Sequence, residues 1–236
     1  MTRRVAASAA AIVPVLALLT SWQSATAQGP ALPFHEAIMR IELNSTDGDA
    51  GLQVELDAEP WRSIQIYFPD GRKMVDFTTR GKLGNFGLTE LFSESNEPPF
   101  DELPLAEFEA LFPEGEYRFE GMTIDGRKLV GTATLSHDIP AGPVVVSPED
   151  GAVVTGAVVI EWEPVPEPVG IDIVAYQVIV EGAGPSRAFQ VNLPSTSTSV
   201  TVPAEVIKAQ TKYGVEVLAI EASGNQTITQ TTFLTG

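Results

Sequence analysis

Residues 158–162, Val-Val-Ile-Glu-Trp, and residues 213–217, Tyr-Gly-Val-Glu-Val, decide the fold of the C-terminal part of the chain. In both stretches every second side chain is apolar, which is the pattern of a strand with one buried face. The run 173–180 has the same alternation, with Tyr176 on the apolar side. We predict that Trp162, Tyr176 and Tyr213 lie together in the core of a β-structure.

Further runs of this type surround these three. Turn residues separate nearly all of them, and seven short strands with regular turns are typical of an antiparallel β-sandwich. The seven runs are 144–146, 153–163, 173–180, 187–191, 196–202, 214–221 and 227–234.

This region, residues 143–236, resembles a fibronectin type III domain. The motifs that carry the resemblance are the second-strand tryptophan in Ile160-Glu161-Trp162-Glu163-Pro164, the third-strand tyrosine in Tyr176-Gln177-Val178, and the element from Ile207 to Tyr213. That element is similar to the family's Leu-x-Pro-Gly-Thr-x-Tyr, except that Ala209-Gln210 replaces the Pro-Gly pair. The resemblance implies a fold and an extracytoplasmic spacer or binding role, and it implies no reaction.

Residues 28–142 also alternate like strands, but they resemble no family. The runs are 37–43, 52–57, 63–68, 73–77, 117–122 and 129–135. Asp70-Gly71 and Asp125-Gly126 each separate two neighbouring runs, as in hairpin turns with positive φ. We predict a six-strand, β-sandwich-like domain with an insertion at 81–113, in which 88–92 forms a helical turn and 105–112 a short helix.

Residues 140–143, Pro-Ala-Gly-Pro, mark the predicted boundary between the two regions. The fold class that follows is all-β, with two tandem β-sandwich domains of the immunoglobulin-like or fibronectin type III-like kind. The first domain, 28–142, carries the short, partly helical insertion, and the second is 143–236.

Residues 1–27 have the pattern of a signal peptide. Arg3 and Arg4 precede an apolar run, and Ala25-Thr26-Ala27 suits cleavage. The alternative is a membrane anchor, but the run is shorter than the roughly 20 residues of a spanning helix. We expect an exported protein, periplasmic, extracellular or attached to the cell surface, with no transmembrane segment after cleavage.

The charge of the chain limits its partners. Cleavage removes two arginines and no acid, so 31 acidic residues face 12 basic ones and the net charge changes from −17 to −19. Such a surface repels nucleic acid and anionic lipid and favours cations. The chain has no cysteine, which excludes disulfides, thiolate metal sites and a cysteine nucleophile.

One loop offers oxygen ligands for a cation. Asp47 and Asp49, with Glu42 and Asn44 upstream, form a candidate Ca²⁺ site, although their spacing differs from an EF-hand. The alternative is a turn built from residues that tolerate the left-handed conformation. No other cofactor is indicated.

Two further features are candidates for ligand contact. Trp61, between Pro60 and Arg62, is either a platform for stacking a carbohydrate or an ordinary core aromatic. The insertion is rich in carboxylates, which suit a glycosidase if two converge and otherwise form a solvated surface. They are Glu90, Glu94, Glu97, Asp101, Glu102, Glu107 and Glu109.

Because no catalytic motif is present, we predict a non-catalytic protein that recognises a protein or glycan partner outside the cytoplasm. Two alternatives stay open. The first is a structural component of an envelope or extracellular assembly, joined through an edge strand at 227–234. The second is a glycan-active enzyme that uses acids of the insertion.

Overall fold

The computed structural model of the protein describes residues 29–166, 168–182 and 187–236. The predicted signal peptide lies outside these ranges. The fold is all-β, as predicted, with two short α-helices in the insertion. None of the helices in the described ranges has the length and apolar character needed to span a membrane.

The N-terminal half, 29–142, contains seven strands and both helices. They are β1 (Leu32–Pro33), β2 (Glu36–Asn44), β3 (Asp49–Tyr67), β4 (Lys73–Thr78), α1 (Gly81–Phe86), β5 (Leu88–Glu94), α2 (Leu105–Leu111), β6 (Gly115–Thr123) and β7 (Lys128–Leu135).

In the C-terminal half, 143–236, the described residues form eight strands and a 3-10 turn at Ala204–Val206. The strands are β8 (Val144–Ser147), β9 (Ala152–Val154), β10 (Val159–Glu163), β11 (Ile173–Glu181), β12 (Arg187–Pro194), β13 (Ser199–Thr201), β14 (Lys212–Glu221) and β15 (Gln226–Thr235). The predicted run 153–163 is two strands, because Gly156 turns the chain with a φ of 89°.

The C-terminal half is a sandwich of two sheets. Strands β13, β10 and β8 form one sheet, and β15, β14, β11 and β12 form the other. Trp162 and Tyr176 pack between them with ring centroids 5.4 Å apart, while Tyr213 stacks on Phe233 at 5.2 Å. All four side chains are buried, so the aromatic core predicted from the sequence is confirmed.

Tyr213 also fixes the turn that precedes β14. Its hydroxyl accepts a hydrogen bond from the Lys208 amide at 2.8 Å and donates to the Val206 carbonyl at 3.3 Å. A tyrosine bound to upstream backbone in this way is a hallmark of immunoglobulin-like sandwiches. Gln210 stands where the resembling family has glycine, and it takes a left-handed φ of 51°.

Strand β3 organises the N-terminal half. Its first part pairs with β2 and β5, and its second part pairs with β4 and β6. The sequence predicts two separate strands here, because Pro60 and several charged residues interrupt the alternation. The chain nevertheless continues as one strand, with register shifts between Asp57 and Trp61 that accommodate the proline.

The insertion follows the predictions only in part. Helix α2 forms as predicted and buries Phe108, whereas Leu111 on the same predicted face is exposed. The helical turn predicted at 88–92 is wrong, since these residues form β5 and pair with β3. Pairing with a neighbouring strand decides the conformation of so short a segment.

The two halves share one sheet. Strand β15 lies parallel to β2, with Gln226 opposite Glu42 and Ile228 opposite Asn44. Strand β14 pairs with this run on one side, while β2 pairs with 227–228 and β9 with 233–234 on the other, and the side chains of Thr46 and Asp150 accept hydrogen bonds from the amides of Gln230 and Thr232. The prediction that 227–234 is a free edge strand is therefore wrong. The apolar side chains form two main clusters, one in each half, while the domain boundary at 140–143 stays a prediction.

Candidate functional site

The shared sheet carries a groove on its outer face. Seven strands lie side by side in the order β5, β3, β2, β15, β14, β11 and β12. Side chains alternate between the two faces of a strand, so the polar positions between the core residues all point to one side. The groove that they form has a volume of about 710 Å³ and crosses from one half to the other.

We call this depression the sheet groove. Ile179, Leu218 and Ile228 form a buried apolar cluster at its base, and Phe92 stands at one end, 58% exposed. The full lining is Arg40, Glu42, Gln53, Glu55, Phe92, Glu94, Gln177, Ile179, Arg187, Gln190, Asn192, Glu216, Leu218, Ile220, Gly224, Gln226 and Ile228.

Many of the polar side chains in the sheet groove hold one another in place. Arg40 donates from Nε to Gln53 Oε1 at 2.8 Å and forms an ion pair with Glu55 at 3.2 Å. Gln53 in turn donates to Glu94 at 2.8 Å. Gln53 is 5% exposed, so its amide bridges the strands from a buried position. These bonds order the lining before any ligand arrives.

The two arginines of the sheet groove are both engaged with acids. Arg40 pairs with Glu55, and Arg187 lies 3.8 Å from Glu181. In the part of the chain that the structure describes, no lysine or arginine forms an ion pair with Glu42, Glu94 or Glu216. The sheet groove therefore carries an excess of negative charge, which the charges of Arg40 near Glu42 and of Arg187 near Glu216 offset only in part.

Three carboxylates converge at the end of the sheet groove that lies in the N-terminal half. Ligand oxygens of Glu42, Glu94 and Glu97 lie within 4.8 Å of one another, and we call these residues the acidic cluster. Gly51, opposite Glu42 in the register, makes room for them, because a Cβ there would lie 2.7 Å from Glu97 Oε1.

The crowding of charge changes the titration of the acidic cluster. Desolvation, together with the charges of Glu94, Asp49 and Glu42, raises the pKa of Glu97 to about 7. Desolvation also raises the pKa of Glu42, against the opposing effect of the hydrogen bond donated by Gln226. Glu216 has a raised pKa for the same main reason.

The four predicted Ca²⁺ ligands do not form one group in the structure. Asn44 Oδ1 accepts hydrogen bonds from the amides of Thr46 and Asp47, and Asn44 Nδ2 donates to Asp47. Both side chains thus shape their own turn. Glu42 instead belongs to the acidic cluster, and Asp49 is near enough for its charge to raise the pKa of Glu97. Calcium binding at this loop stays a prediction.

Trp61 is a core residue. Its side chain is 1% exposed and packs with the other apolar residues of the N-terminal half. A stacking platform needs a free ring face, so the carbohydrate-contact role suggested from the sequence is corrected. The register of β3 against β5 shifts between Asp57 and Trp61, the segment that contains Pro60.

Of the acids predicted in the insertion, Glu94 and Glu97 meet Glu42, and the described remainder of the insertion adds no further acid to this group. The sequence interpretation missed Gln53, Gln177, Asn192 and Gln226, although a signal for the first two was present. Gln53 and Gln177 occupy polar positions of the runs that revealed the core, while Asn192 and Gln226 lie one residue outside the predicted runs 187–191 and 227–234.

The strand order and the Tyr213 turn give the C-terminal half a fibronectin type III-like fold, which confirms the resemblance seen in the sequence. No protein-family model matches the chain, and no curated protein sequence is significantly similar to it. Solved structures provide the remaining comparisons.

Three solved structures illustrate the similarity. The FN1-FN3 domains of chicken CNTN1 have 14% identity and a TM-score of 0.35, covering 87% of this chain and 65% of that one. The Clostridium thermocellum CbhA fibronectin(III)-like modules have 11% identity and a TM-score of 0.33, covering 86% and 91%. An FN3 domain of human collagen XX has 18% identity and a TM-score of 0.29, covering 39% and 92%.

Proposed function

We propose that the protein is an exported, non-catalytic binding protein that recognises a partner in the sheet groove. The observation that carries the proposal is the β15–β2 pairing, which makes one continuous outer face from two halves. Recognition sites are concave surfaces with an apolar base and a few fixed polar groups. The sheet groove has such a base in Ile179, Leu218 and Ile228, and its rim is ordered by side-chain hydrogen bonds.

The rigidity of the junction supports this function. Asn225 is 1% exposed and links β15 to the N-terminal half through four hydrogen bonds. Thr227 adds a bond to the Pro140 carbonyl at 2.6 Å. A preorganised groove loses less conformational entropy when a ligand binds. The junction therefore favours recognition by a fixed surface over a flexible tether.

The test compares retention on arrays of glycans and of cell-surface proteins. Two groove variants, Phe92→Ala and the double variant Gln177→Ala/Asn192→Ala, change exposed or half-buried side chains and leave the core intact. Glu161→Ala on the opposite sheet is the control. We expect both groove variants to lose retention and the control to keep it. Full retention by both groove variants would show that the proposal is wrong.

The acidic cluster favours a second candidate function, a glycan-active enzyme. Retaining glycosidases place two carboxyl groups about 5 Å apart, with a raised pKa on the acid. Glu97, with its pKa near 7, lies within 4.8 Å of Glu94. This candidate requires turnover of a glycan by the native protein that Glu97→Gln and Glu94→Gln each abolish. Binding without turnover would favour the first proposal.

A further inference from the structure

The outer face of the shared sheet is continuous, and its charge is unbalanced. Glutamates outnumber arginines by four to two in the lining of the sheet groove. Both arginines already form ion pairs, Arg40 with Glu55 at 3.2 Å and Arg187 with Glu181 at 3.8 Å. Glu42, Glu94 and Glu216, which form no ion pair with a lysine or arginine of the described residues, therefore give the sheet groove an excess of negative charge.

The lining has few groups that would favour an uncharged sugar. Stacking on flat aromatic faces is a major source of affinity for planar apolar ligand surfaces. Phe92 is the one aromatic side chain among the described residues that line the sheet groove, and it stands at the end. The carboxylates of Glu42, Glu94 and Glu216 occur on β2, β5 and β14, so they span most of its width.

The dimensions suit an extended chain. Seven strands at about 4.8 Å spacing give a width of about 29 Å. An extended polypeptide advances about 3.5 Å per residue, so about eight residues would cross the sheet groove. Lysine and arginine side chains along such a segment can reach carboxylates on successive strands and pack their aliphatic stems on the apolar base.

We infer that the sheet groove binds an extended, lysine- or arginine-rich segment of a partner protein. This inference rests on the proposed function and specifies the partner class for the same surface. Complementary charge gives such an interface its specificity and a fast association rate. A lysine or arginine placed beside the acidic cluster also reduces the repulsion among Glu42, Glu94 and Glu97, and this adds to the affinity.

The test uses three fluorescein-labelled octapeptides in fluorescence anisotropy, at about 50 mM NaCl to limit screening. Four Lys-Gly repeats are the probe, and four Glu-Gly or four Ser-Gly repeats are the peptide controls. EDTA in the buffer keeps divalent cations away from the acidic cluster. We expect saturable binding of the lysine peptide only, with an affinity that falls as salt is added.

Two isosteric double variants separate the sheet groove from the general negative charge. Glu94→Gln/Glu216→Gln removes two charges inside it, while each new amide keeps an oxygen for Gln53 or Gln230. Glu161→Gln/Glu163→Gln removes two charges from exposed positions on the opposite sheet. We expect about a tenfold loss of affinity for the first and less than twofold for the second.

Asn192→Lys, an exposed position on edge strand β12, is a second variant that should also weaken binding. Equal losses in the two double variants, or no binding of the lysine peptide, would overturn the inference. If a glycan then binds and the groove variants lose it, the proposed function stands and only the partner class is wrong. If no ligand depends on the sheet groove, both proposals fail.

Discussion

The side-chain oxygen of Asn225 accepts a hydrogen bond of 2.7 Å from the backbone amide of Ile41, 184 residues earlier in the chain. Its amide nitrogen donates to the carbonyls of Ser136 and Asp138 at 3.0 and 3.2 Å. One buried side chain thus joins β2, the segment after β7 and β15. The shared sheet depends on such contacts, because β15 and β2 have only three residue pairs in register.

Replacement of Asn225 by alanine should destabilise the junction. It leaves the buried Ile41 amide without its acceptor and removes the bonds to Ser136 and Asp138. We expect the free energy of unfolding to fall by about 2–3 kcal/mol. Urea denaturation measures the change, with Asn192→Ala, an exposed asparagine on β12, as the matched control. Equal stability of the two variants would contradict the role given to Asn225.

Local pattern predicted the strands well, because alternation of apolar side chains reflects which face is buried. Trp162, Tyr176 and Tyr213 were identified in this way. The sequence did not predict how the two halves meet, since nothing near Gln226 or near Glu42 reveals that they face each other. The acidic cluster was missed for the same reason, as Glu42 lies more than 50 residues before Glu94 and Glu97.

Replacement of Trp61 should lower stability, whereas replacement of Phe92 should weaken ligand binding. Trp61→Ala removes a buried side chain and should lower the free energy of unfolding by about 3–5 kcal/mol. Phe92 is 58% exposed, so Phe92→Ala should change stability by less than about 0.5 kcal/mol while weakening ligand retention. Thermal denaturation and array retention, measured on both variants, test this division. A Trp61→Ala variant that is as stable as the native protein would show that Trp61 does not belong to the core.

Glu97 should make stability depend on pH. Its pKa is about 7 in the folded protein and near 4.5 in the unfolded chain, so the folded state binds the proton more tightly. The cost of ionising it is present in full above about pH 7, is relieved as the pH falls towards 4.5, and is absent below that. Glu97→Gln should therefore stabilise the protein at about pH 8, by about 1 kcal/mol, since solvent screens this exposed group.

Chemical denaturation at several pH values tests the Glu97 effect. Glu102→Gln, an exposed acid outside the acidic cluster, is the control. The two variants should converge in stability well below pH 4.5, where Glu97 is protonated in both the folded and the unfolded state. A pH profile of Glu97→Gln that parallels the native protein would contradict the assignment.

Calcium binding, predicted from the sequence, has two alternative ligand sets that variants can separate. Asp47→Asn changes the turn set, while Glu97→Gln changes the acidic cluster. Because the side chains of Asn44 and Asp47 bond to each other, we expect any Ca²⁺ heat in isothermal titration to survive Asp47→Asn and to be lost in Glu97→Gln. A native protein that shows no heat, and whose melting point ignores chelator, would end the calcium hypothesis.

Gln210 marks the departure of this chain from the family's Pro-Gly turn, and the departure should have a measurable cost. Its φ of 51° lies in the left-handed region, which costs a residue with a Cβ about 1 kcal/mol. Glycine takes this conformation without that cost, although it gains entropy in the unfolded chain. We expect Gln210→Gly to raise the free energy of unfolding by up to about 1 kcal/mol. The control is Gln177→Gly, in the middle of β11, which should lower the free energy of unfolding. Urea denaturation of both variants shows whether a gain in stability comes from the turn conformation at 210 or from glycine in general.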